Sequence, residues 1–349
     1  MPPRKRAIDR IADKKRVFVH QQFRVHVDLA ASVQARVDRL LKRYIDRLHA
    51  IAPTEPIRRG DQLNRLDTLI TETRALTRRT MRGINSTLTD TGITLAREDV
   101  RYTTGVMAQE LGRDIAIQSL PGKVLERVAN RALIEGAPTA TWWQRQGDQL
   151  QRAFEDRVRR GLMQGSSPTE IMRAIKGTAK RGYKDGIMTE QRKGQVEALV
   201  RSSLSAVDNA IVIEESQQHD FVEGWQLFTT FDSKTCPTCA ALSGGAFDFD
   251  GNPLEQSKVQ IKSPVAHPPI HVNCRCNTIP VVEGEALVED GYFGDWLANE
   301  PEASQREVLG DARYDLWKSN KLSMTDLVSQ KGNPLTLREL RARYGKEAA

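Results

Sequence analysis

Cysteine is scarce in this chain: 349 residues hold four, and all four fall between positions 236 and 276. A disulfide framework through the whole sequence is therefore excluded. In a reducing cytoplasm, a tight group of thiols points to a metal before a disulfide. No run of about 18 or more apolar residues occurs, so no helix of the chain is expected to span a membrane. The first residues, MPPRKRAIDRIADKKR, are basic but lack the apolar stretch of a signal peptide, and assembly in the cytoplasm is the expectation. Internal repeats and low-complexity segments are missing too. So are helix-turn-helix and zinc-finger spacings, which sets aside a cellular DNA-binding regulator.

What is present is a chain long enough for two or three folded parts, 39% hydrophobic and 28% charged. Its net charge of +7 hides a split. Residues 1–200 hold 38 Lys and Arg against 23 Asp and Glu, whereas residues 201–349 hold 14 against 22. The first part thus carries +15 and the second −8. Either the basic part touches nucleic acid or an acidic partner, or its long solvated helices are simply rich in arginine, a good helix former.

Apolar residues recur mostly at three- and four-residue steps from Leu29 through Val33, Val37, Leu40, Leu41, Tyr44 and Leu48 to Ile51, with Pro53 as a limit. After the stretch Pro53–Gly60 a second stripe runs through Leu63, Leu66, Leu69, Ile70, Leu76, Ile84 and Leu88. Neither is a clean heptad, so packed helices rather than an extended coiled coil are expected. The helical pattern continues over 95–165, with breaks at Pro121-Gly122 and Gly136-Ala137-Pro138, and Trp142 and Trp143 read as packing anchors. Ser167-Pro168-Thr169-Glu170 is a helix start with a capping box. Residues 176–194 have four glycines and six basic residues (Lys176, Lys180, Arg181, Lys184, Arg192 and Lys193) without an apolar period. This reads as a basic, flexible loop and as the local candidate for DNA phosphate contacts. A helix resumes over Gln195–Ser216. Phe221–Phe231 and Thr278–Val282 read as strands, with turns between and an acidic then helical stretch after 283.

The chemistry lies in Cys236-x2-Cys239, a gap of 31 residues, then His271-x2-Cys274-x-Cys276. The first pair presents two thiolates on one tight turn stiffened by Pro237, and a second group from a distant segment can close a tetrahedral zinc site. Five candidates compete for four places: all four cysteines, or three cysteines with His271. Four protein ligands leave no open position for water, so the metal reads as structural, a clamp for a small Gly/Pro-rich unit. Asp232 and Arg275 can pair and orient the metal loops, or lie at the surface. Asp248 and Asp250 read as a turn, since no third oxygen ligand accompanies them. His267 reads as a loop residue, and Arg201, on an otherwise apolar helix face, as a cation tying its helix to the cysteine unit.

From Trp225 through Phe231-Asp232-Ser233-Lys234-Thr235-Cys236-Pro237-Thr238-Cys239, Leu242-Ser243-Gly244 and Pro268-Pro269-Ile270-His271-Val272-Asn273-Cys274-Arg275-Cys276, the sequence resembles phage head-morphogenesis proteins related to the F protein of bacteriophage Mu. Arg201-Ser202 with Asn209 upstream is similar to the family's Arg-Thr helix, with Ser in place of Thr. Trp296, Gln305, Leu309-Gly310, Arg313, Leu322-Ser323 and Asp326-Leu327 are similar to its C-terminal segment, so the resemblance spans about 165–345. It implies a minor capsid protein of the virion, present in few copies. Such a protein would associate with the portal protein, be carried into the prohead, and in some relatives contact DNA and influence packaging or ejection. Scaffolding and major capsid proteins are further partners the resemblance brings. Only Lys346-Glu347-Ala348-Ala349 follow the family segment, so the toxin domain that some relatives carry is not expected.

The resulting expectation is an α+β chain in three parts: a basic helical region at 1–160, a head-morphogenesis domain with the Cys/His cluster at 161–282, and an acidic then helical extension at 283–349. The expected role is non-enzymatic, in capsid assembly, with structural zinc and non-specific DNA contacts. The alternative is a metal-dependent nuclease, which would need an open metal position and a general base, for which only His267 and His271 lie near.

Overall fold

The computed structural model describes residues 6–51, 59–113, 115, 120–289 and 292–344. Pro53, most of the Pro53–Gly60 stretch and the last five residues lie outside the described residues. The fold is mostly helical with a small antiparallel sheet. Helix α1 is Ala7–Ile51 and α2 is Arg59–Leu111. The first starts about two dozen residues before the point where its stripe becomes regular.

The described chain divides into two compact units, each drawn from separated segments. One comprises Gln22–Thr91 and Asn130–Leu204. Here Val33, Val37, Leu40 and Tyr44 of α1 and Leu69, Ile84 and Leu88 of α2 are buried, joined by Trp143, Leu150 and Phe154 of α4 (Thr139–Met163). The Tyr44 and Phe154 rings tilt together at 4.5 Å. A polar line crosses this core. Gln151 accepts from Tyr44 Oη at 2.9 Å and from Thr77 at 3.0 Å, and its amide donates to Thr73 at 2.9 Å. Glu155 then takes both arms of Arg74 at 2.8 and 2.9 Å. A buried network with its members satisfied fixes how the helices pair.

Helix α4 begins at the predicted break. The strands β1 (Leu133–Ile134) and β2 (Ala137–Pro138) form a hairpin whose two-residue turn places Glu135 and Gly136 at positive φ. Trp143 is fully buried, and its indole donates to Ser203 Oγ at 3.1 Å. Trp142 donates to Ile134 O at 2.8 Å. Ser167 and Glu170 cap α5 (Pro168–Lys176) reciprocally, with Pro168 at the first helical position. In α6 (Glu190–Ser216), Arg201 pairs with Glu197 at 3.1 Å and lies over the Phe23 ring at 5.2 Å. Burial and Arg201 together push the neighbouring His26 imidazole down to about 4.

The other unit takes the residues up to Gln21, Gly92–Ala129, and those from Ser205 onward. It contains α3 (Gly122–Arg131) for most of its length and the sheet β4–β3–β5. Strand β3 (Val222–Phe228) is central, β4 (Ala246–Phe247) and β5 (Asn277–Val282) flank it, and both pairings are antiparallel. A register shift lies between Val222 and Gly224. A Cβ at Gly224 would sit 2.0 Å from Phe247 O, so the strand can only make this bulge with glycine. Trp225, Leu227, Phe247, Phe293 and Leu297 form the core with three of the cysteines. Helices α7 (Pro237–Leu242), α8 (Phe293–Ala298), α9 (Glu302–Leu309), α10 (Asp311–Lys318) and α11 (Leu337–Tyr344) complete the unit. The buried Gln305 amide ties α9 to Leu297 O at 2.9 Å and Glu300 O at 2.8 Å, and Ser323 with Asp326 caps the turn Met324–Leu327.

Lys15, Asp99, Asp208 and Glu215 are buried in this unit, and the first three lie together. Lys15 of α1 pairs with Asp99 of α2 and donates to Thr103 at 3.1 Å, with Asp208 of α6 close by. Burial and the Asp99 charge push the Asp208 carboxyl well above the usual carboxylate range. No helix among the described residues is long and apolar enough to cross a membrane.

Candidate metal centre

Sheet register builds the cysteine cluster. Phe228 pairs with Asn277 at the ends of β3 and β5, so the segment leaving β3 and the segment entering β5 run side by side. Thr230 Oγ1 donates to Arg275 O at 3.2 Å across that gap, and Cys276 Sγ lies 3.7 Å from Thr229 Oγ1. The 31-residue span between the two halves of the motif is thus closed by a strand pair as well as by sulfur chemistry.

Each arm has a local cause. Cys236 is the N-cap of α7, with extended backbone and Pro237 next, and its sulfur accepts the Cys239 N–H at 3.3 Å. That one short turn aims both sulfurs the same way. On the other arm Asn273 takes a positive φ of 68°, and Cys274 N donates to His271 O at 3.1 Å. His271 directs Nε2 at the sulfurs, while Nδ1 faces Val272 O at 2.8 Å.

Nε2 lies 3.0 Å from Cys236 Sγ and 3.2 Å from Cys239 Sγ, and Cys239 and Cys274 sulfurs are 3.8 Å apart. Two overlapping triads result, Cys236–Cys239–His271 and Cys239–Cys274–Cys276, each with its ligand atoms within 4.8 Å of one another. Cys239 belongs to both. Among the described residues no other group of His, Cys, Asp and Glu is so placed. The cluster can hold a metal ion. With metal–sulfur bonds of about 2.3 Å, a tetrahedral site has sulfurs about 3.8 Å apart, which matches the Cys239–Cys274 separation.

The electrostatics agree with that chemistry. Hydrogen bonding from Cys239 and then from His271 holds the Cys236 thiol down at about 4, and the Cys236 sulfur lifts His271 to about 9. Cys239, hydrogen-bonded to Cys236 and Cys274 and deeply buried, is pushed up instead. Without a cation the cluster cannot carry all its thiolate charge. A divalent ion at its centre would let every ligating sulfur ionise.

Asp232 and Arg275 meet in a two-armed ion pair, one arm at 2.6 Å. Arg275 holds the Asp232 carboxyl below its usual range, and Asp232 also accepts from Lys234 N at 2.9 Å. Because Arg275 sits between Cys274 and Cys276, this pair anchors the second arm of the cluster to the first. The hydroxyls of Thr229, Thr230 and Thr235 lace the same segments together, a role no spacing in the sequence announces. Asp248 spends its two oxygens on Asn252, on the backbone N–H at 2.8 Å and the amide at 3.0 Å, and forms a turn. His267 Nδ1 lies 3.1 Å from Pro268 O.

Of the basic segment 176–194, Lys176 ends α5 and residues 190–194 open α6; what lies between is a built loop, in contrast to the flexible segment expected. Asp185 accepts from Thr178 N at 2.7 Å and Thr178 Oγ1 at 2.8 Å, and Ile187 N donates to Ile175 O at 2.9 Å. Gly177, Gly182 and Tyr183 supply the positive φ angles that let so short a segment fold back on itself. Lys176, Lys180, Arg181, Lys184 and Lys193 are exposed and Arg192 is half-buried. Lys176 lies over the Tyr183 ring at 5.3 Å, Lys193 pairs with Glu190 at 3.1 Å, and Arg192 donates to Ile187 O.

Comparison with curated proteins and with solved structures finds no match. Comparison with protein families matches residues 152–279 to the family described as Phage Mu protein F like protein. That segment contains the whole Cys/His motif, strand β3, the first half of β5 and the basic loop; Trp296, Gln305 and the other C-terminal residues of the resemblance lie beyond it. Through this segment the chain is related to the phage head-morphogenesis proteins of the Mu F type.

Proposed function

We propose that the chain is a minor head protein of a phage, acting at the portal during capsid assembly, carried into the prohead and retained in the virion. The family match enclosing the cysteine cluster carries this reading. Portal protein is the proposed partner, and packaged DNA a second one, reached through the basic part of the chain. Zinc is the proposed metal, held by four of Cys236, Cys239, His271, Cys274 and Cys276. Soft sulfur and imidazole donors at tetrahedral spacing favour it over the hard cations, which take oxygen. The proposed metal role is a clamp, and the chain is read as non-enzymatic. A four-ligand site leaves no coordination position for a water nucleophile, and the Asp248 carboxylate, in the segment between the two arms, is used in a turn.

The test is location. Particles made with an epitope-tagged chain and imaged by electron microscopy should carry label at one vertex in low copy number. A chain absent from both proheads and finished particles would overturn the reading. A chain spread evenly over the shell would overturn the portal assignment.

A further inference from the structure

A second concentration of positive charge lies beside the basic loop, along α4. Along α4, positions 149, 152, 153, 156, 157 and 160 recur at three- and four-residue steps and line one wall of a cleft of about 490 Å³. The opposite wall is Gly186, Ile187 and Thr189, from the end of the loop, with Arg192, from the first turn of α6. Four arginines (Arg152, Arg157, Arg160 and Arg192) and a single carboxylate, Asp156, line this space. Some arginines elsewhere in the chain are matched, as in Arg74 with Glu155, Arg275 with Asp232, and Arg306 with three acids. Among the described residues none of the four cleft arginines has a carboxylate ion-pair partner. Arg160 Nε donates to the backbone O of Asp156 at 3.1 Å and Arg192 to Ile187 O, contacts that orient the forks without neutralising them.

We propose that this cleft is a binding groove for the phosphodiester backbone of DNA, with Arg152, Arg157, Arg160 and Arg192 as the phosphate contacts. The assignment rests on the reading that the chain touches packaged DNA, and it moves the principal contact from the loop to α4. Guanidinium forks match phosphate oxygens two at a time. The spacing chooses a strand over a single anion: Arg152 and Arg160 are eight residues apart, a rise of about 12 Å along the helix, too far to converge on one phosphate. The loop wall is fixed in advance by the Ile187–Ile175 backbone bond and by Thr189 Oγ1, which accepts from Arg192 N at 3.3 Å, so little ordering is needed on binding.

The experiment is a fluorescence-anisotropy titration of the full-length protein with a labelled random-sequence duplex, repeated between about 50 and 200 mM salt. The triple variant Arg152→Gln, Arg157→Gln, Arg160→Gln is expected to bind at least tenfold more weakly at the lowest salt. Its plot of log affinity against log salt should be shallower by about 2.7, at 0.9 for each lost phosphate contact. A Lys180→Gln, Arg181→Gln, Lys184→Gln variant should keep most of the wild-type slope. If the triple cleft variant melts early, Arg160→Gln alone, at an exposed position, should still lower the slope by about 0.9. Wild-type slope and affinity in the cleft variants, with loss confined to the loop variant, would overturn the groove while leaving DNA contact intact. No binding by the wild-type protein would overturn DNA contact itself. Displacement of the duplex by inorganic phosphate at equal phosphate concentration would make the cleft a single-anion site and overturn the strand assignment.

Discussion

Asp208→Asn should stabilise the protein, by an amount that grows with pH. In the folded chain the Asp208 carboxyl is buried beside Asp99, whose own charge is taken by Lys15, and both burial and Asp99 raise its pKa well above the usual value. In the unfolded chain it ionises near about 3.9. Between those two values the native state holds a proton that the unfolded state has released, so stability falls as pH rises through the window. The slope is about 1.4 kcal/mol per pH unit for one such group. Asparagine keeps the size of the protonated acid and removes the titration. The stability difference between variant and wild type should therefore be small at about pH 4, widen at that slope, and level off above the folded pKa. Urea unfolding followed by circular dichroism at successive pH values measures it, and subtracting the two proteins cancels the titrating groups that do not interact with Asp208. A difference that stays flat with pH, or shrinks as pH rises, would refute the account. In the opposite direction, Lys15→Met leaves the Asp99 carboxylate buried without its cation and should cost about 3–5 kcal/mol at neutral pH.

Purified protein should carry about one zinc per chain by elemental analysis, and Cys239→Ser, which removes the sulfur common to both triads, should abolish it. Comparing Cys236→Ser, His271→Ala, Cys274→Ser and Cys276→Ser then identifies the fifth, non-ligating residue as the one whose loss leaves the metal in place. Asp232→Asn should leave the fold intact and lower metal affinity roughly 10- to 100-fold in competition with a chelator, because it frees Arg275 between two ligands; unchanged affinity would mean the pair does not steer the site. Gly224→Ala drives a Cβ into the Phe247 carbonyl and should destabilise the sheet by about 3 kcal/mol or more in chemical denaturation.

Much of this molecule is local and was readable as such. The capping box at Ser167–Glu170, the break before α4, the two strands and the Cys236–Cys239 turn each depend on a few neighbouring residues, and those residues alone specify them. Hydrophobic periodicity located the packed lengths of α1 and α2. It failed at the start of α1, where Val17, Phe23, Val25 and Val27 are exposed and follow no helical period. Nothing in their spacing marks residues 7–28 as helix, and only the burial of Ile8, Ile11 and Lys15 against distant elements does. Asp185 likewise looks like any charged residue of a basic loop until Thr178 folds back onto it. Through its composition and the Cys/His spacing, the sequence by itself determined the chemistry at hand: which residues can bind a soft metal, and that the first 200 residues are basic. Tertiary structure alone decided the geometry: that Cys239 stands at the centre of the cluster, that Asp232 reaches Arg275, and that three arginines of α4 share one cleft wall. The reason is physical. Residue identity and short-range spacing are properties of the chain, while burial, ion pairing and concavity are set by segments that meet only when the strands and helices pack.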